Sequence, residues 1–120
     1  MTQKRKPQTR LVRAGLESDT QHGAVVPPIH LSATYAFAGL DQPRAYDYSR
    51  SGNPTRDLLG GALAELEGGA GAIVTATGMA AVTLALTLVK PGERVIAPHD
   101  CYGVTHRLLA ALQRTGRAEV

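Results

Sequence analysis

Three short stretches hold the residue types that chemistry needs. The first, Ala76-Thr77-Gly78-Met79-Ala80, puts a glycine where an apolar run gives way to a helical pattern. The first amides of a helix have no internal acceptor and sit at the positive end of its dipole, so they attract anions, phosphate above all. Gly78 has no Cβ to hold a ligand off the backbone. The same residues also suit a plain capped turn, with Thr77 as cap and Gly78 as bend. The second stretch, Tyr48-Ser49-Arg50-Ser51-Gly52-Asn53-Pro54, sets a phenol beside a guanidinium whose fork matches two phosphate oxygens. A solvated loop leading into a capped helix would read the same way. The third, Pro98-His99-Asp100-Cys101-Tyr102-Gly103, follows a strand-like run, where open α/β sheets place ligand contacts. Tyr102 offers a flat ring for stacking on a heteroaromatic. Cys101 and His99 have no second ligand pair at metal spacing, so no metal is expected and a small buried thiol is.

The elements that must position these groups come from the pattern around them. Residues 1–53 show no sustained period, and Val25-Val26-Pro27-Pro28 favours extended chain. A structureless stretch this long is unusual inside one domain, so it reads as an arm that crosses a second subunit. From residue 54 to 120 the chain is regular. Asn53 caps a helix that starts at Pro54, keeps Leu58, Leu59, Ala62, Leu63 and Leu66 on one face, and stops at Gly68-Gly69. A buried strand is expected over 70–75, with Ile73-Val74 at its centre. A helix over 79–89, a strand over 93–97, a helix over 105–114 and a strand starting at 117 follow. This alternation predicts an α/β layer fold. With two complete strands and a third beginning, the chain reads as the front piece of a larger protein.

Composition sets the frame. The 120 residues carry 13 basic and 10 acidic groups, for a net charge of +3. Lys4, Arg5, Lys6, Arg10 and Arg13 fall in the first thirteen positions without an acid, and the rest of the chain is slightly acidic. Such a tail is expected to be a solvated end; no basic residues interleaved with aromatics follow it, so nucleic acid is not expected. Neither an apolar leader nor a run of about 18 apolar residues occurs, so no membrane partner is expected. A single cysteine fits a reducing, cytoplasmic setting. Aromatics are only 4%, leaving Ala, Val and Leu to build the core.

The motifs YSRSGNPTRD (48–57), ALAELEGGAGAIVTATGMAA (62–81) and PHDCYG (98–103), with VVPPIHLSATY (25–35) before them, closely resemble the Cys/Met-metabolism enzymes that depend on pyridoxal 5′-phosphate (PLP), in particular their cystathionine γ-synthase branch. The resemblance runs from about Arg13 to the chain end. It implies an N-terminal arm followed by the first part of the PLP-binding large domain of the aspartate-aminotransferase-like fold (fold type I). It also implies that two subunits build each active site, within a homo-oligomer that is a dimer of dimers. Residue by residue, Tyr48 and Arg50 match the pair that reaches the PLP phosphate of the neighbouring subunit. Gly78 and Met79 match the amides that hold the phosphate of their own subunit. Tyr102 matches the tyrosine stacked on the pyridine ring, with a phenol that helps substrate binding or proton transfer. Arg107 matches an arginine beside that site, assigned to substrate.

The Schiff-base lysine of the family has no counterpart here, and Lys90 cannot stand in, since it ends a helix before Pro91-Gly92. The 120 residues alone are therefore expected to be inactive. The activity implied is transsulfuration, in which L-cysteine replaces the γ-acyloxy group of an O-acylhomoserine (the succinyl ester among them) to give cystathionine. Cystathionine γ- or β-lyase and homoserine sulfhydrylase are the rivals within the family. Val104, where a methionine γ-lyase would favour Cys, argues against that branch. His106 stands where Tyr or Asn is frequent. A non-catalytic anion-binding module is the rival from another class.

Overall fold

Asn53 begins the longest helix in the way its residue type favours. The computed structural model describes residues 5–120, so Lys4 of the basic tail lies outside the described residues. Two compact units divide the chain, Met1–Val74 and Thr75–Val120.

The first unit holds α1 (Pro7–Val12) and α2 (Pro54–Glu67). The Asn53 side chain accepts from the amides of Thr55 and Arg56, Pro54 takes the first helical position, and Gly68 closes α2 in the left-handed region at φ 68°. The face that α2 buries is narrower than its leucines imply. Gly60 and Ala64, one turn apart, are buried, whereas Leu59 and Leu63 are about half exposed. Small residues win there because backbone packs against that stripe: a Cβ on Gly60 would stand 3.1 Å from the Ala72 carbonyl oxygen. The basic tail is not simply a solvated end. Residues 7–12 form α1, Arg10 Nη1 donates to the Glu65 carbonyl at 3.2 Å, and Arg13 pairs with Glu17 at 2.9 Å. Between the helices the chain is extended and largely exposed, with Leu31 and Leu40 at 91% and 90%. Two antiparallel bridges, Thr34 to Tyr48 and Gly39 to Gln42, tie it together; the Tyr35 amide donates to the Asp47 carbonyl and the Ser49 amide to that of Ala33, both at 2.8 Å.

The second unit holds α3 (Gly78–Leu86) and α4 (Gly103–Arg114), with Leu109 and Ala118 buried. The helix expected to reach residue 89 ends at Leu86. There the Thr87 hydroxyl donates back to the Leu84 carbonyl, and the amides of Thr87, Leu88 and Val89 bond three residues back, tightening the end into a narrower turn. The expected strands are not formed as a sheet. Residues 93–97 and 117–120 meet in one parallel bridge, Arg94 to Glu119, with the Val95 amide on the Glu119 carbonyl at 2.8 Å and the Glu119 amide on that of Glu93 at 3.0 Å. A parallel pair joined through α4 is a minimal strand–helix–strand crossover. Residues 70–75, expected as a buried strand, pair with no other strand among the described residues, and Ile73 is 76% exposed. The cause is physical: a strand is defined by the ladder it shares, and apolar side chains alone do not supply one.

Among the described residues no helix is long and apolar enough to cross a membrane.

Candidate functional site

In the first unit the loop before α2 carries a phenol–guanidinium pair. Arg50 Nη2 donates to Tyr48 Oη at 2.9 Å, and the Arg50 guanidinium carbon lies 5.3 Å from the centre of the Tyr48 ring, so hydrogen bond and cation–π contact hold one geometry. Both residues are exposed, and no carboxylate pairs with Arg50 among the described residues. A guanidinium oriented by a neighbour but left without a counter-ion is ready for an anion.

The loop is held from behind by Asn53, expected only as a helix cap, and by His30, Ser32, Tyr35 and Arg56, for which the sequence suggested no role. Asn53 Nδ2 lies within reach of Ser49 Oγ at 3.0 Å, the His30 carbonyl at 3.2 Å and Tyr35 Oη at 3.2 Å. Ser49 Oγ in turn donates to the Ser32 carbonyl. Arg56 Nη1 donates to the Ser49 carbonyl at 2.8 Å and Nη2 to that of Arg50 at 3.4 Å. One signal was available for Arg56: an arginine in the first turn of a helix opposes the macrodipole, so it needs other partners. Ser51 Oγ donates to Asp47 Oδ1 at 2.9 Å. This bond, with the Tyr48 amide after it, holds the Asp47 carboxyl below the usual carboxylate range. Burial, then a hydrogen bond with Asp57, pushes the Tyr46 phenol above its ordinary value. Tyr46 packs 5.6 Å from Tyr35, ring centre to ring centre, and a Cβ on Gly52 would come within 3.0 Å of it.

In the second unit the helix starts do the equivalent job with backbone. Thr77 Oγ1 accepts from the Ala80 amide at 3.1 Å, leaving the Gly78 and Met79 amides without an acceptor among the described residues. The first turn of α3 has no acidic residue, and a Cβ built on Gly78 would meet nothing within 4 Å. Thr105 Oγ1 lies 3.6 Å from Met79 Sδ, which ties the start of α3 to α4. Tyr102 is the N-cap residue of α4, at φ −50° and ψ 129°, makes no side-chain cap, and is 69% exposed. Arg107, on the exposed side of α4, pairs with no carboxylate among the described residues. Val104 is half-buried in the first turn. Cys101 is half-buried rather than enclosed and lines a small recess with Ala97, Leu109 and Val120. No cluster of three metal-ligating side chains occurs among the described residues.

The structure thus joins Tyr48 to Arg50 in one unit, and in the other sets Gly78 beside Met79 on α3 and Tyr102 and Arg107 on α4. Each unit, taken by itself, has groups that suit part of PLP: in the second, acid-free helix amides for a phosphate and an open tyrosine face for a ring, and in the first, a guanidinium without a counter-ion for a phosphate.

The chain is similar to known proteins. The sequence profile described as "Cys/Met metabolism PLP-dependent enzyme" matches residues 8–120. Cystathionine γ-synthase of Escherichia coli is 59% identical over 113 residues, which is 93% of this chain and 29% of that protein. Cystathionine β-lyase of Lactococcus lactis is 41% identical over 109 residues, 90% of this chain and 29% of that one. The structure of cystathionine γ-synthase from Xanthomonas oryzae pv. oryzae, in complex with aminoacrylate and cysteine, superposes with a TM-score of 0.89 at 52% identity, over 98% of this chain and 30% of that one. The chain therefore spans about 30% of the length of the relatives it matches. From the match across residues 8–120, this chain belongs to the Cys/Met-metabolism family of PLP-dependent enzymes.

Proposed function

We propose that these residues supply the phosphate and ring contacts of a transsulfuration enzyme of the cystathionine γ-synthase type. The observation that carries the branch is the 59% identity to the E. coli synthase, against 41% to the L. lactis β-lyase. The reaction is then γ-replacement, with L-cysteine displacing the acyloxy group of an O-acyl-L-homoserine to give cystathionine. The bound cofactor supplies an electron sink for carbanions. The Gly78 and Met79 amides neutralise phosphate oxygens from the start of α3. The Tyr102 ring stacks on the pyridine, and its Oη, at the ring edge, binds substrate or passes a proton. Arg107, beside that site, contributes to substrate binding. Tyr48 and Arg50 grip the phosphate of a second subunit's cofactor, which makes residues 1–53 an inter-subunit arm, residues 54–120 the first part of the PLP-binding domain, and the assembly a dimer of dimers in the cytoplasm.

The test uses a chimera in which this segment replaces the matching 113 residues of the E. coli relative. Arg50→Lys keeps the charge but loses the planar two-point contact, so PLP affinity falls roughly ten- to a hundredfold. Thr55→Ser, in a position without a cofactor role, leaves affinity unchanged. Mixing Arg50→Ala protomers with protomers lacking the cofactor-binding lysine restores part of the activity, because each mixed dimer holds one intact site. No rescue despite proven subunit exchange would confine Arg50 to its own subunit. A chimera that only eliminates pyruvate and ammonia from cystathionine would favour the lyase reading.

A further inference from the structure

We infer that Arg56 is a positioning residue for the Tyr48–Arg50 anion clamp, acting through the backbone of the loop and not by touching the phosphate. The inference rests on the proposed role of Arg50 in cofactor binding and adds to it a residue that sets the clamp's geometry.

Arg56 lies in the first turn of α2, where a cation opposes the helix dipole. Its guanidinium is turned instead to the loop, giving Nη1 to the Ser49 carbonyl at 2.8 Å and Nη2 to the Arg50 carbonyl at 3.4 Å. Those two carbonyls flank the Arg50 Cα, so one rigid fork fixes the peptide units on both sides of the residue that carries the clamp. No carboxylate competes for Arg56 among the described residues, and its charge strengthens both hydrogen bonds. The loop has few alternative restraints on this side. The Ser51 and Gly52 amides both bond the Tyr48 carbonyl at 3.0 Å, which curls the loop without fixing where it sits on α2. Asn53 restrains Ser49 through its side chain, and Arg56 is the contact that reaches the Arg50 carbonyl. The clamp needs this because its guanidinium is exposed and, among the described residues, is held by Tyr48 alone. Any turn of the Arg50 peptide plane is magnified along a long side chain and breaks a two-point contact sooner than a single one.

The chimera described above tests this with PLP titrations of Arg56→Ala, Arg56→Lys, Arg50→Ala and the Arg50→Ala/Arg56→Ala double variant. The expected result is a roughly tenfold loss of PLP affinity for Arg56→Ala, partial recovery in Arg56→Lys, and no further loss when Arg56→Ala is added to Arg50→Ala. Hydrogen exchange at the Ser51 and Gly52 amides rises in Arg56→Ala, while exchange within α4 stays as in the parent. An Arg56→Ala loss that persists at full size beside Arg50→Ala overturns the inference, since Arg56 then acts elsewhere. So does parental PLP affinity in Arg56→Ala. If Arg50→Ala itself binds PLP normally, the clamp reading fails first and the inference falls with it, a result distinct from the other two. Should Arg56→Ala not fold, Arg56→Lys decides: weaker binding with faster exchange confined to the loop supports the inference, and parental behaviour in both overturns it.

Discussion

The two regions proposed to hold phosphate are built in opposite ways. The loop before α2 is assembled by side chains from far along the sequence: Asn53 reaches His30 and Tyr35, and Ser49 reaches Ser32. The start of α3 is made by neighbours, with the Thr77 hydroxyl on an amide three residues ahead and a glycine at the first helical position. The difference teaches where each region is vulnerable. A network in which each member orients the next loses more than one bond when one member is removed, whereas a local helix start loses its cap and little else.

The largest expected effect breaks the network. Asn53→Ala removes both a helix cap and an amide whose two N–H groups have three oxygens within reach, costing about 2–3 kcal/mol of stability from one cap and one to two hydrogen bonds. Thr77→Ala removes a cap alone and costs about 1 kcal/mol. Urea unfolding of the two chimeric variants measures both, and equal losses would erase the contrast between the regions. Next in size is Arg50→Lys, whose ten- to hundredfold loss of PLP affinity arises with no comparable loss of stability, because the side chain is exposed.

Gly78→Ala sharpens the comparison from the other side. Its Cβ would meet no protein atom within 4 Å, so folding stability changes by less than about 0.5 kcal/mol. The methyl group does stand where a phosphate approaches the amides, so PLP affinity falls roughly three- to tenfold. Calorimetry alongside PLP titration checks the pair, and a variant that loses stability while binding PLP normally would make Gly78 a purely structural residue.

The smallest effects are in pH dependence. Asp47 is depressed in the folded loop by the Ser51 hydroxyl and then by the Tyr48 amide. Its contribution is complete above the ordinary carboxylate value of about 3.9 and is lost as pH falls through the lower folded value. Tyr46 is raised by burial and then by Asp57. Its contribution is complete below the ordinary phenol value of about 10 and is lost as pH climbs through the higher folded one. Urea midpoints followed across pH should show Asp47→Asn flattening the acid limb and Tyr46→Phe the alkaline limb. An acid limb unchanged by Asp47→Asn would mean that the Ser51 contact contributes nothing in solution.

Much of this was open to a reading of residues alone because it is local. The order Asn53-Pro54, the glycine after Glu67 and the Thr77-Gly78 junction each satisfy backbone groups within a few positions, so type and spacing are enough to place the helix ends. The family motifs lie on the same stretches, which is why the sequence by itself is enough to propose Tyr48, Arg50, Gly78, Met79, Tyr102 and Arg107 for the site. What the chain could not declare is anything needing a distant partner. Ile73-Val74 has the composition of a buried strand, yet among the described residues the segment has no ladder and Ile73 is exposed, while 93–97 and 117–120 do find each other. Arg10 left the basic tail for Glu65, and Arg56 turned from its helix to two loop carbonyls. Helix ends are decided by bonds a few residues apart, which sequence encodes directly. Pairings across tens of residues depend on where the backbone has already brought two segments, and only the tertiary structure decides that.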